Sequence, residues 1–138
     1  MFLLDTNVVS ELTKPAPSEV VLKWLDAKNH SALWICSITM AEMLLGLAVM
    51  PESNRKMVLM ARAEQTIRSF ASNCAAFDSI SARQYVTIVA ARKKAGRPIS
   101  VQDAQIAAIA RSVGLTLATR NTKDFDGIEG LKVIDPWQ

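Results

Sequence analysis

The sequence predicts an α/β fold, a central and mostly parallel sheet flanked by helices on both faces. Three observations carry that expectation. Apolar runs of strand length alternate along the chain with longer stretches of helical periodicity, the arrangement of strand–helix–strand crossovers. The opening run, Met1 to Leu4, is apolar at consecutive positions, as in a strand buried on both faces. With 138 residues, 50% of them hydrophobic, the chain fills one core and is short for two, so residues 1–138 are expected to form a single domain.

The first run stops at Asp5-Thr6-Asn7, which places Asp5 at a strand tip before a polar turn. A short helix is expected from about Val8, broken by Lys14-Pro15-Ala16-Pro17. Ser18 then caps a helix whose Val20, Val21, Trp24 and Leu25 share one face, and a second strand covers about Ala32 to Cys36. Helical periodicity resumes at Ser37 or Thr39, runs to Met50, pauses at Pro51 and continues through Met57, Met60, Ala61, Glu64, Ile67 and Phe70, which reads as a helical hairpin. A third strand is expected at about Cys74 to Phe77, then a helix capped by Asp78 that reaches Lys94 and stops at Gly96. Beyond the loop Arg97-Pro98-Ile99, Ser100 opens an Ala-rich helix from Val101 to Val113, Gly114 ends it, and Thr116 to Thr119 follows as a strand. Val133 and Ile134 form a last short strand. Trp24, Met57 and Met60 fall at helical spacing and are expected in the core, Trp34 and Trp137 are expected to pack, and Arg92-Lys93-Lys94 reads as a solvated helix end favoured by the macrodipole.

Several function classes lose their footing in the composition. The net charge of +3 is compatible with a nucleic-acid partner without requiring one. Cys36 and Cys74 lack any CxxC or CxxH spacing, so neither a disulfide framework nor a zinc site is expected and a reducing cytoplasm is the expected setting. The start MFLLDTN has no basic leader, and no apolar run approaches about 18 residues, so neither secretion nor membrane spanning is expected. His30 is the only histidine, which removes two-histidine acid–base cleavage of RNA, and there is no G-x-S-x-G, no Gly-rich phosphate loop and no cysteine with a base at a motif spacing.

Carboxylate chemistry remains. Asp5 ends the first strand, Asp124 lies just beyond the strand ending at Thr119, and Glu42 and Asp103 fall in first helical turns. In a parallel sheet all four converge at one end, where hard oxygen donors hold Mg²⁺ or Mn²⁺. Each acid also has a structural reading. Thr39-Met-Ala-Glu42 and Ser100-Val-Gln-Asp103 match or approximate capping boxes, Asp5 suits a turn and Asp124 a solvated loop. The residues alone leave both readings open, at the level of an α/β domain with a divalent-metal hydrolase as one candidate.

Four segments in order say more. Leu3-Leu4-Asp5-Thr6-Asn7-Val8, Ser37-Ile38-Thr39-Met40-Ala41-Glu42, Pro98-Ile99-Ser100-Val101-Gln102-Asp103-Ala104-Gln105-Ile106-Ala107-Ala108 and Thr119-Arg120-Asn121-Thr122-Lys123-Asp124-Phe125 resemble the successive motifs of PIN-domain proteins, most closely the VapC and FitB toxins of bacterial toxin–antitoxin pairs. The resemblance runs from Met1 to Asp135-Pro136-Trp137. It implies a PIN-like fold, a homodimer, Mg²⁺-dependent cleavage of RNA phosphodiester bonds and neutralisation by a small antitoxin. By resemblance Asp5, Glu42, Asp103 and Asp124 are the catalytic, metal-binding acids, and Thr6, Asn7, Thr119 and Asn121 the polar residues around them. The rival implied by the same family is a catalytically silent PIN domain that binds RNA or an antitoxin; retention of all four acids weighs against it.

Overall fold

The computed structural model describes residues 1–138 and contains five strands and six α-helices. In order these are β1 (Phe2–Leu4), α1 (Thr6–Leu12), α2 (Glu19–Asp26), β2 (Leu33–Cys36), α3 (Ser37–Ala48), α4 (Asn54–Ser69), β3 (Cys74–Ala75), α5 (Ser79–Lys94), α6 (Val101–Val113), β4 (Thr116–Ala118) and β5 (Val133–Ile134), with single 3₁₀ turns at His30–Ala32 and Thr122–Phe125. The strands lie in the order β3-β2-β1-β4-β5, and every pairing is parallel. Because β2 and β3 stand on one side of β1 while β4 and β5 stand on the other, the winding reverses between β1 and β4. In open parallel sheets that reversal leaves a crevice beyond the carboxyl ends of the two strands.

Neighbouring strand residues point to opposite faces, which divides the interior in two. Leu3, Cys36 and Leu117 join Ile88 of α5 and the Ile106–Ala110 stretch of α6 on one face. Leu4, Ile35 and Ala118 join Val8 and Val9 of α1, Val21 and Leu25 of α2, Met43 of α3 and Ala63 and Ile67 of α4 on the other. A fully buried Leu or Ile contributes about 1.5–3 kcal/mol relative to exposure, so these two layers are what hold β1 and β4 in register at the crevice. Ser100 Oγ accepts the Asp103 N–H at 3.1 Å to open α6, and Gly114, at φ 72°, turns left-handed to close it as predicted.

Several expectations need correction, and Met60, expected in the core, is only half-buried and lies outside both of its layers. The helix after Asp5 starts at Thr6 rather than near Val8, because the Asp5 side chain itself caps it. The third strand is shorter than predicted, two residues long. Met57 is 69% exposed rather than in the core. The inward stripe of α4 passes through Lys56, Leu59, Ala63 and Ile67, and Lys56 uses its place there to donate to the Ala48 and Met50 carbonyls, both at 3.0 Å, at the end of α3. Arg92 is 8% exposed rather than solvated, whereas Lys93 and Lys94 do face water. No helix is long and apolar enough to cross a membrane.

Candidate active site

The crevice at the winding reversal is built around Asp5. Its backbone N–H still belongs to the sheet, donating to Ala118 O at 2.9 Å, so the carboxylate is projected from the tip of β1 by the ladder itself. That carboxylate is buried, at 4% exposure, and is held by three donors. Thr6 N–H donates to Oδ1 at 2.8 Å, the Thr119 hydroxyl to Oδ2 at 2.7 Å, and Asn7 Nδ2 to Oδ2 at 3.3 Å. Thr119 continues β4, is wholly buried, and accepts in turn from Asn7 Nδ2 at 3.1 Å and Asn121 N–H at 3.1 Å. Asn7 Oδ1 accepts from Arg120 N–H at 3.2 Å. The two loops that follow β1 and β4 are thereby laced together under the Asp5 carboxylate.

Glu42 reaches the same place from α3. Its Oε1 accepts the Thr6 hydroxyl at 2.8 Å, and that hydroxyl lies 3.1 Å from Thr39 Oγ1, which is wholly buried. Since α3 begins at Ser37, Glu42 sits in the second helical turn rather than the first, out of reach of the capping role. Asp103 occupies the third position of α6 and is half-buried. Asp124 is exposed in the 3₁₀ turn after β4, its N–H bonded to Asn121 O at 3.0 Å.

The four acids share one electrostatic environment. Burial pushes the Asp5 carboxyl above its ordinary pKa; bonds from Thr119 and Thr6 oppose the rise, and the charge of Glu42 adds to it. Burial also raises Asp103, reinforced by the negative charge of Asp5 and then of Asp124, with a Ser100 hydrogen bond opposing. No cation answers these charges. The chain's two ion pairs, Lys14–Glu11 and Lys56–Glu52, both lie elsewhere. No three acid, histidine or cysteine side chains close into a ready-made metal cage. The donor set is nonetheless all oxygen, uncompensated and partly open, which fits a hard divalent ion that keeps several of its waters and takes one or two carboxylates directly.

All eight predicted site residues lie around this crevice. Two further contributors escaped the sequence reading: Thr39, whose hydroxyl supports Thr6, and Arg92, whose guanidinium donates to the Asp124 carbonyl at 3.1 Å. A periodic signal for Arg92 was present, since Ser81, Tyr85, Ile88 and Arg92 form an inward stripe on α5.

Known proteins resemble the chain throughout. The PIN domain family model matches residues 2–131. VapC ribonuclease Y4jK of Sinorhizobium fredii is 39% identical over 139 residues, covering 100% of this chain and 99% of that one. Toxin FitB of Neisseria gonorrhoeae is 40% identical over 138 residues, covering 99% of each. The crystal structure of FitAcB from Neisseria gonorrhoeae superposes with a TM-score of 0.91 at 39% identity, covering 100% of this chain and 99% of that one.

Proposed function

This chain belongs to the PIN-domain family, and from that premise we propose that it is the toxin of a type II toxin–antitoxin pair, a cytoplasmic metal-dependent endoribonuclease working as a single domain. The observation that carries the reading is Asp5, a buried carboxylate fixed by three donors at the winding reversal, surrounded by Glu42, Asp103 and Asp124 and left without a cation. Asp5 and Asp103 would be the principal holders of Mg²⁺ or Mn²⁺, with Glu42 and Asp124 completing the pocket. When bound, such an ion offsets phosphoryl charge and acidifies an attacking water.

The chain's own groups do the positioning. Thr119, Thr6 and Asn7 fix both oxygens of Asp5, and Thr6 orients Glu42. Glu42 or Asp124 accepts the proton of the attacking water as the new P–O bond forms, and the ribose 3′-oxygen leaves with the electron pair of the breaking bond and takes a proton from solvent to become the 3′-hydroxyl. A cell that carries such a nuclease needs a neutralising partner, here a small antitoxin that sets a Lys or Arg against the acids. The toxin pairs with a second copy of itself as a homodimer. Exposed apolar side chains on the helical hairpin, Leu45, Val49, Met57 and Val58, leave surface for such protein partners.

The deciding experiment is cleavage of RNA and of DNA by the purified protein, with Mg²⁺, with Mn²⁺ and with EDTA, with product ends mapped. RNA should be cut only with the metals, leaving 5′-phosphate and 3′-hydroxyl ends. Cyclic 2′,3′-phosphates, or cutting that survives EDTA, would overturn the mechanism; no cutting of any RNA would return the silent binding module.

A further inference from the structure

Arg92 is a guanidinium almost wholly buried, at 8% exposure, yet no carboxylate pairs with it. A buried charge is tolerated only where its polar groups find partners, and here three backbone carbonyls give each guanidinium nitrogen one acceptor. Nε donates to Arg97 O at 2.8 Å, Nη1 to Asp126 O at 2.8 Å and Nη2 to Asp124 O at 3.1 Å. Those carbonyls come from two segments that flank the crevice. Arg97 belongs to the loop that leads into α6 and Asp103; Asp124 and Asp126 belong to the turn that presents the fourth acid. Phe125, buried at 2%, anchors the middle of that turn in the core and the Asp124 N–H closes it on Asn121 O at 3.0 Å; at its far end the bond from Asp126 N–H to Lys123 O is long, at 3.4 Å, and there the Arg92 contacts are the tie to the loop before α6. Gly127, next along, is covered by the Arg97 side chain, whose Nη1 lies 3.0 Å from where a Cβ would stand.

We propose that Arg92 is a positioning residue for the nuclease site, holding Asp124 at the crevice by tying the backbone of its turn to the loop before α6. It touches neither RNA nor the reacting groups. The bidentate reach of a planar guanidinium to two carbonyls of one turn and one of another loop is what a lysine cannot copy, because an ammonium is a single point on a flexible stem. The inference rests on the reading that Asp124 is a site acid.

Arg111 supplies the matched control. Its guanidinium also spans a helix and a loop, donating to Gln84 Oε1 at 2.6 Å and to Glu129 O at 3.0 Å, but it holds no acid of the site. Arg92→Lys, Arg111→Gln, Asp124→Asn and the Arg92→Lys/Asp124→Asn double variant should be compared by thermal unfolding in EDTA, by Mn²⁺ titration calorimetry well below the unfolding temperature, and by RNA cleavage. Arg92→Lys should weaken Mn²⁺ binding and lower kcat on the order of tenfold with KM little changed, the scale expected when a group is displaced by a fraction of an ångström. Arg111→Gln should lose thermal stability while keeping Mn²⁺ affinity and kcat. In the Asp124→Asn background, Arg92→Lys should have almost no further effect on kcat, because a residue acting through Asp124 has nothing left to position. Losses that multiply in the double variant would overturn the proposal, as would an Arg92→Lys protein that merely melts earlier and cleaves like wild type. An Asp124→Asn protein with wild-type activity would instead refute the assignment of Asp124 on which the proposal stands. If Arg92→Lys fails to fold, Gly127→Ala, which strains the same turn because Gly127 stands at φ 77°, should show the same non-additivity with Asp124→Asn, and additive losses there would overturn the proposal.

Discussion

Asp5 and Glu11 stand at opposite ends of one short helix, α1, and both are nearly buried, at 4% and 6% exposure. Their surroundings are opposite in kind. Glu11 accepts from Lys14 Nζ at 2.9 Å and from Ser18 N–H at 2.9 Å, and these two bonds, with the charges of Lys14 and Arg120, hold its carboxyl below its ordinary pKa. Asp5 has neutral donors only; burial pushes its pKa up, and the charge of Glu42 adds to the rise. An acid that serves the fold is given a cation, because pairing offsets the cost of burial. An acid left charged, buried and unanswered costs the fold stability, and a bound cation would relieve that cost.

The largest effect should come from Asp5→Asn, which removes the central charge and keeps the side chain's size. Cleavage in Mg²⁺ should fall roughly 100-fold or more, the scale of losing one charge-stabilising group in a transition state, while thermal unfolding in EDTA shows stability unchanged or raised. An Asp5→Asn protein that melts lower yet cuts RNA normally would make Asp5 a cap like any other. Glu11→Ala should behave in reverse. Losing the acceptor of the part-buried Ser18 N–H costs on the order of 1 kcal/mol by denaturant titration, and the rate of cleavage at saturating RNA should not change. Were Glu11→Ala to abolish cleavage in a folded protein, the division between structural and functional acids on α1 would fail.

Thr6→Val gives a smaller effect and sharpens the contrast within the site. It deletes the 2.8 Å bond to Glu42 while leaving the Thr6 N–H to hold Asp5, so activity should drop roughly tenfold, typical of a ligand's outer partner, with Mg²⁺ needed at higher concentration. Unaltered Mg²⁺ dependence would mean that Glu42 needs no orienting.

The smallest effect is in the pH dependence of stability, measured by unfolding in EDTA from about pH 3 to 8. Asp5 and Asp103 have raised values, so their protonated forms favour the fold: that contribution is complete below the ordinary carboxylate range and is lost as pH rises through the raised values. Glu11 has a lowered value, so its contribution is present above the ordinary range and is lost as pH falls through the lowered one. Asp5→Asn should therefore flatten the decline toward neutral pH, and Glu11→Gln the decline toward acid. Identical curves for the two variants would erase the distinction.

By itself the sequence determined the elements and the order of the acid-bearing segments. The helix from Val101 to Val113 was legible to the residue because its signals are local, a Ser100 cap at one end and Gly114 at the other. The reversal from apolar run to Asp5-Thr6-Asn7, and the serial spacing of Glu42, Asp103 and Asp124, are likewise written along the chain. Whether each acid was a cap or a member of a site could not be read there. That depended on Thr119 meeting Asp5 across 114 residues, on Thr6 meeting Glu42 across 36, and on which strands flank β1. Asp5 proves to be both a helix cap and the centre of the crevice. Ser100, not Asp103, supplies the cap oxygen of α6. Arg92 shows the same boundary from the other side. Its place on the α5 stripe was in the sequence, but its charge argued for solvent. Only the packed loops bring three carbonyls together densely enough to satisfy a guanidinium away from water, and that condition exists nowhere until the chain has folded.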